Sequence, residues 1–541
     1  MNAENIKPRE VKIRVHDGVE IAVALYRPEG DGPYPVVLAA SPYRFDNNTL
    51  PSTPQFLWRE TGPIGLYVER GYVYAQMDVR GCGKSGGELR FLDRNEQKDL
   101  YDVIEWLGRQ SWSNGKVGGI GQSYFCMLQW WMAVQKPPSL VCIAAFDGLN
   151  DPYRASVYQG GILGDFFGSY WWNQNRIINR YPANAEFPRE QTCDLNLLLQ
   201  QHPTYDEFWR ERCAAEHLHE IEVPLYSVGV WGKVDLHTRG NIDGFRRATG
   251  PKKLKMIGPV NAFVANREFN SRELHETLLL PFYDHYLKGL KTDYLERPAV
   301  EYVVRGADAV RAAQDWPPAG VRYVTWHLSG AKSGSVTSLN DGTLTRDHAS
   351  GEEHTSYNYP NPGWMMGVVG FGPNAQPDPA RRVLTFTAAP LQADLEIAGP
   401  IKLTLYASSS RGDTDFFVKL SEQMPQSAED RGKGLNPASY WITKGWLRAS
   451  HRRLDSEPYH THTEPEPIEP GKIYRFEISI EPMAHRFKTG NRVRLEIVNG
   501  DSVITDVLWT HYYAPSKIGT DTIFHSPERP SALILPVMEG A

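Results

Sequence analysis

Apolar positions fall in two patterns along the chain, and the change between them comes near residue 300. Before it, short unbroken apolar runs alternate with stretches of helical period. Residues 12–15 and 21–26 flank the turn His16-Asp17-Gly18, as the arms of a hairpin do. Residues 34–40 and 72–77 are almost wholly apolar, which predicts parallel strands buried on both faces. Residues 97–107 place Leu100, Val103, Ile104 and Leu107 on one side of a helix. Residues 141–146 give another buried strand. This strand–helix alternation predicts a doubly wound, mostly parallel α/β sheet.

The rhythm breaks over residues 150–221, which are aromatic (Tyr170, Trp171, Trp172), helical in tendency and without a clear strand. A cap inserted over the carboxyl edge of the sheet is expected there. The sheet resumes at 224–230 and 253–257, and a helix over 273–287 ends near Gly289. Beyond 300 the period becomes two. Residues 401–406, 416–420, 472–480 and 492–498 read as strands separated by Gly, Pro and Asp turns, which predicts a β-sandwich or jelly roll. Residues 331–382 and 421–439 read as loops. The expected division is 1–149 and 222–300 for the α/β core, 150–221 for the cap and 301–541 for the jelly roll.

One junction carries chemistry. In Val117-Gly118-Gly119-Ile120-Gly121-Gln122-Ser123-Tyr124-Phe125-Cys126 a short buried strand runs into a tight turn and then an apolar helix, with Ser123 at the apex. That is the form of a nucleophile elbow. Serine is a weak nucleophile until it is held clear of the backbone, beside a base and near amide donors. Gly121 allows close approach on the entry side. Phe125 occupies the last glycine position of the Gly-x-Ser-x-Gly pattern, so an ordinary strand-to-helix turn stays open as the alternative.

Other motifs weigh less. Arg80-Gly81-Cys82-Gly83-Lys84-Ser85-Gly86 contains Gly-x-Gly-x-x-Gly after a strand, but no helix opens behind it, and Asp78 stands where a phosphate loop needs glycine. A tight structural loop is expected. Ser41-Pro42-Tyr43 follows a buried strand, where a hydrolase sheet carries oxyanion donors; Tyr43 could present its hydroxyl there or simply pack. The turn after residue 229 holds Asp235 and His237, the triad-type residues of that stretch. His460 and His462 lie in a run rich in Pro and Glu, which reads as a surface loop and not a metal site.

Composition narrows the function classes. A chain of 541 residues needs more than one core. Its Trp 15, Tyr 27 and Phe 20 suit large cores and pockets for uncharged organic substrates. The net charge of -6, with no long basic run, argues against nucleic acid and anionic membrane as partners. The polar start and the lack of any membrane-length apolar run lead us to expect a cytoplasmic protein. Five cysteines without a Cys-x-x-Cys pair read as reduced thiols. A small-molecule substrate is expected, with no cofactor, and a homodimer is compatible with the sequence.

Taken together, the motifs resemble the CocE/NonD hydrolases, the group containing cocaine esterase and the Xaa-Pro dipeptidyl-peptidases. The matching segments are Ser41-Pro-Tyr43, Asp78-Val-Arg-Gly-Cys-Gly-Lys-Ser-Gly-Gly87, Trp112-Ser-Asn-Gly-Lys-Val-Gly118 and Gly121-Gln-Ser-Tyr124. Leu236-His-Thr-Arg-Gly240, Phe282-Tyr-Asp-His-Tyr-Leu-Lys-Gly289 and Asp413-Thr-Asp-Phe-Phe-Val-Lys-Leu420 continue the pattern. The resemblance implies an α/β hydrolase domain with a helical cap and a C-terminal galactose-binding-like jelly roll. It also implies ester or amide hydrolysis through an acyl-enzyme. Ser123 falls on the nucleophile, the Tyr124 N–H and the Tyr43 hydroxyl on the oxyanion donors.

Three positions depart from the family. Lys233 follows Trp231-Gly232 where the triad acid is usual, and Asp235 stands two residues on as a substitute. Ala262 stands where the family histidine is usual, and Cys126 holds the place of the last elbow glycine. Three readings follow. Asp235 and His237 act as the acid–base pair of a serine hydrolase for a small, largely apolar carbonyl compound. Alternatively, the fold serves as a lyase, isomerase or cyclase of a natural-product pathway. The third reading is a catalytically silent ligand-binding homologue.

Overall fold

The computed structural model describes residues 6–47, 59–180, 193–258, 262–348, 353–359, 370–456, 459–502, 506 and 510–539. Ten strands make one sheet. Their spatial order is Arg9–Arg14, Glu20–Tyr26, Val73–Asp78, Tyr34–Ser41, Ser113–Gly119, Leu140–Phe146, Leu225–Val230, Lys252–Ile257, Val300–Val304 and Ala309–Ala313. All neighbours from Val73–Asp78 to Val300–Val304 are parallel. The N-terminal hairpin and Ala309–Ala313 close the two edges antiparallel.

Both faces are covered, which is why the central strands carry unbroken apolar runs. Successive residues of a strand point to opposite faces. A methyl group on Gly118 would meet Leu287 and Tyr283, and one on Gly119 would come within 2.9 Å of Gln129. The helix Leu280–Lys288 therefore packs on one face and the helix Tyr124–Val134 on the other.

The sheet runs past the boundary expected at residue 300. Val300–Val304 is its last parallel strand, and Ala309–Ala313 turns back along it. The alternating burial of Val300, Tyr302 and Val304 matches the period of the second domain.

The cap consists of short helical segments: Tyr153–Val157, Phe166–Trp171, Trp172–Arg180, Leu195–Gln201, Glu207–Arg212 and Ala214–Glu220. It also holds a small hairpin, Tyr158–Gln159 with Ile162–Leu163, too short to leave an alternating pattern. The C-terminal domain is an eleven-stranded, almost wholly antiparallel assembly. It closes on itself because Ala532–Met538 pairs with both Val321–Ser329 and Leu395–Ser409. Gly342–Thr345 and His354–Asn358 are strands inside the stretch expected to be loop, and Asp415–Gln423 runs on into the second expected loop. Among the described residues no helix is long and apolar enough to cross a membrane.

Candidate active site

Ser123 sits at φ 63°, ψ -119°, between the strand Ser113–Gly119 and the helix Tyr124–Val134. A side chain at positive φ costs on the order of 1–3 kcal/mol and persists only where the surroundings fix it. Here the Ser123 N–H donates to the Asp147 carbonyl at 2.9 Å, and the Gln122 N–H to the Glu60 carbonyl at 3.0 Å. Gly121, at φ 120°, is required, since a Cβ there would stand 2.4 Å from the Cβ of Phe125. Ser123 is half-buried, while its neighbours on both sides are buried. Cys126 fits at the elbow because Gly148 opposite has no side chain; a Cβ on Gly148 would lie 2.4 Å from the Cβ of Cys126.

Tyr43 follows the strand Tyr34–Ser41 and is buried edge-on against Tyr124, Phe125 and Trp171. Its hydroxyl accepts a 2.9 Å hydrogen bond from Trp171 Nε1 and interacts with the Ser123 hydroxyl. Burial, and then the nearby Glu60 carboxylate, push the Tyr43 pKa well above that of free tyrosine, so it stays a neutral donor. Tyr124 is the first residue of its helix, where an N–H has no intrahelical acceptor and the helix dipole is positive. Its ring stacks on Trp171 at 5.6 Å and its hydroxyl donates to Glu96 at 3.0 Å. Phe91 and Phe167 complete this aromatic cluster.

The structure does not pair Asp235 with His237. The Asp235 carboxylate accepts from Lys444 Nζ at 2.9 Å, and the same ammonium lies 2.8 Å from Asp506. Asp235 thus ties the α/β domain to the C-terminal domain. His237 Nδ1 lies 3.2 Å from Asp147 Oδ1 in a buried setting that lowers its pKa despite the carboxylate. Residues 259–261, just before Ala262, lie outside the described residues.

The side chain of Ser123 interacts with Tyr43 and Glu60 and with no histidine, although all 16 histidines fall within the described residues. His275 is occupied elsewhere. Its Nδ1 bonds the Tyr67 hydroxyl at 2.8 Å, its Nε2 the Phe269 carbonyl at 2.7 Å, and its ring presses on Gly62.

Two buried ionisable residues, Lys233 and Glu60, are linked to the elbow. Lys233, on the turn Trp231–Lys233, is buried with Nζ 2.6 Å from Asp147 Oδ2 and 3.0 Å from Asn266 Oδ1. Asn266 Nδ2 reaches back to Glu60 Oε1 at 3.3 Å. Glu60 is 2% exposed, and its Oε2 has no full hydrogen bond, with the Ser123 hydroxyl as a near neighbour. Burial, reinforced by Asp147 and offset in part by Lys233, pushes the Glu60 pKa up to about 8. Asp147 behaves in the opposite way. Burial works against its charge, yet Lys233 and His237 hold its carboxyl well below the usual carboxylate range. Gln122 Nε2 adds a 2.7 Å hydrogen bond to Asp147.

The glycine-rich turn is structural. Arg80 is buried against Asp99 at 2.6 and 2.7 Å, Lys84 N donates to Asp78, and Gly83 N to Asn179. A Cβ on Gly83 would collide with Asp78. The stretch holding His460 and His462 is not the surface loop its polarity suggests. Both histidines are buried, because Arg154 of the cap donates to the carbonyls of His460 and Thr461, and His451 lies 3.0 Å from His462.

The chain has known relatives. Residues 17–261 match the model of the X-Pro dipeptidyl-peptidase (S15 family), and residues 295–534 match the X-Pro dipeptidyl-peptidase C-terminal non-catalytic domain. Cocaine esterase of a Rhodococcus species is 26% identical, over 98% of each chain. A putative serine esterase of Mycobacterium bovis is 25% identical, over 97% of this chain and 95% of the other. The crystal structure of a CocE/NonD family hydrolase from Staphylococcus aureus superposes with a TM-score of 0.80 at 27% identity, over 98% of this chain and 93% of the other. With both domains matched and an elbow serine in place, the chain belongs to the CocE/NonD family of serine hydrolases.

Proposed function

We propose that the protein hydrolyses an ester, amide or related carbonyl bond of a small, largely apolar organic compound through an acyl group on Ser123. The observation that carries this reading is the placement of the strained, half-buried Ser123 hydroxyl against the Tyr43 hydroxyl, at the N-terminus of the elbow helix. Tyr43 and the Tyr124 N–H supply two donors for an oxyanion, each worth about a factor of 10²–10³ in rate where preorganised. The aromatic cluster of Phe91, Tyr124, Phe167 and Trp171 next to them favours an apolar acyl or leaving group. The ester named in the Rhodococcus relative points to the same substrate class.

A fluorophosphonate probe tests this reading. Labelling of the wild type at Ser123, lost in Ser123→Ala, together with hydrolysis of short-chain aryl esters, is the expected result. Failure of the folded wild type to label at any pH overturns it.

One observation favours a second reading. At neutral pH Glu60 holds its proton, so the site offers two neutral O–H donors, Glu60 and Tyr43, both next to Ser123. Such a pair suits proton donation to a carbonyl or enolate in an elimination or cyclisation. Turnover that survives in Ser123→Ala, without hydrolysis, would identify that chemistry.

A further inference from the structure

We propose that Glu60 is the catalytic base for Ser123, taking the part a histidine plays in a triad. The inference rests on the serine-hydrolase reading above. Of the two described titratable groups that interact with the Ser123 hydroxyl, Tyr43 is an oxyanion donor and Glu60 is the one that can accept a proton. The other ionisable groups of the site are committed. Asp147 is engaged by Lys233, Gln122 and His237, and Lys233 by Asp147 and Asn266. Glu60 Oε2 is a buried oxygen left without a full hydrogen bond, and Oε1 is anchored by Asn266. The main chain of Glu60 is joined to the elbow itself through Gln122 N. A closed circuit results: Ser123, Glu60, Asn266, Lys233, Asp147, and back to the Ser123 N–H.

The chemistry balances without any further co-reactant than water. The Glu60 carboxylate takes the Ser123 hydroxyl proton as Oγ forms a bond to the substrate carbonyl carbon. The carbonyl π pair moves to oxygen, which Tyr43 and the Tyr124 N–H receive. Collapse breaks the bond to the leaving alkoxide or amine, which takes the proton back from Glu60. Water then repeats the sequence on the acyl–Ser123 ester, giving its proton to Glu60, and Ser123 departs and recovers it.

Facing Glu60 are Lys233, Asp147, Tyr43 and the neutral Ser123 and Asn266. Burial dominates, and the pKa of about 8 means that only a minor fraction of Glu60 is a free base at neutral pH. Serine reactivity should therefore climb with pH and level off above about 8, unlike a histidine-driven site, which levels off near the ordinary imidazole value.

The test is the rate of fluorophosphonate labelling of Ser123 from pH 5 to 10, in the wild type and in Glu60→Gln. The expected result is a tenfold rise per pH unit up to about pH 8 in the wild type, and a loss of at least a hundredfold in Glu60→Gln with the rise abolished. Equal rates and equal pH dependence in the two proteins overturn the inference while leaving Ser123 as the nucleophile. An unlabelled wild type removes the serine-hydrolase reading and the base with it. Should Glu60→Gln not fold, the wild-type profile decides: a plateau reached by pH 7 rules Glu60 out.

Discussion

Lys233 Nζ lies 2.6 Å from Asp147 Oδ2, with both side chains buried, on the turn where the family resemblance places an acid. The charge at that turn is thereby inverted, and its partner comes from the end of the next strand, Leu140–Phe146. Desolvation makes such a pair costly to break from one side only, because the survivor is an unpaired buried charge. Lys233→Met should therefore destabilise the protein by about 3–5 kcal/mol. Lys233→Met/Asp147→Asn should recover most of that loss. Urea midpoints of the two variants against wild type check it. Removing the cation also raises the Glu60 pKa further, so the pH at which Ser123 labelling levels off should move upward in Lys233→Met.

The backbone at Ser123 predicts a trade between stability and chemistry. Its φ of 63° is one that glycine adopts freely and alanine does not. Relief of about 1–3 kcal/mol of strain outweighs the ~0.5–1 kcal/mol by which glycine loosens the unfolded chain. Ser123→Gly should then be more stable than wild type by about 1 kcal/mol, whereas Ser123→Ala keeps the strain. Both lose labelling. A Ser123→Gly protein that melts no higher than Ser123→Ala contradicts the strained elbow.

Much of the fold is legible in the sequence because its signals are local. The parallel strands announce themselves as apolar runs that cannot be exposed on either face, and the elbow as a strand, a glycine and a helix in direct succession. The placement of Ser123 and Tyr43 is legible for the same reason: each comes just after a buried strand of the sheet. Glu60 is not. It precedes the helix Ile64–Glu69 in a segment without a motif, and only tertiary packing under Gln122 and Asn266 buries this polar-looking residue. Asp235 and His237 show the converse error. Nearness in sequence suggests a pair, but the turn sends one side chain to Lys444 of the C-terminal domain and the other to Asp147. His460 and His462 mislead likewise, since a run of Pro and Glu beside them hides a contact with the cap that no local pattern encodes.

Glu60 also leaves a signature in stability, independent of any substrate. Its pKa is about 8 in the folded protein against an ordinary value of 4.5. Between those two values the folded state holds a proton that the unfolded state has released. Stability must then fall as pH rises across this window, by about 1.4 kcal/mol per pH unit at most. Below the window both states are protonated and the group is neutral in its effect; above it the cost is constant, on the order of 5 kcal/mol. Glutamine carries no charge to desolvate. Glu60→Gln should match the wild type in melting temperature near pH 4.5 and exceed it increasingly up to about pH 8, after which the gap stays fixed. Melting curves of the two proteins at half-unit steps from pH 4.5 to 9 measure that gap directly. A gap that does not change with pH means that Glu60 titrates alike in the folded and unfolded chains, and that burial does not hold its proton.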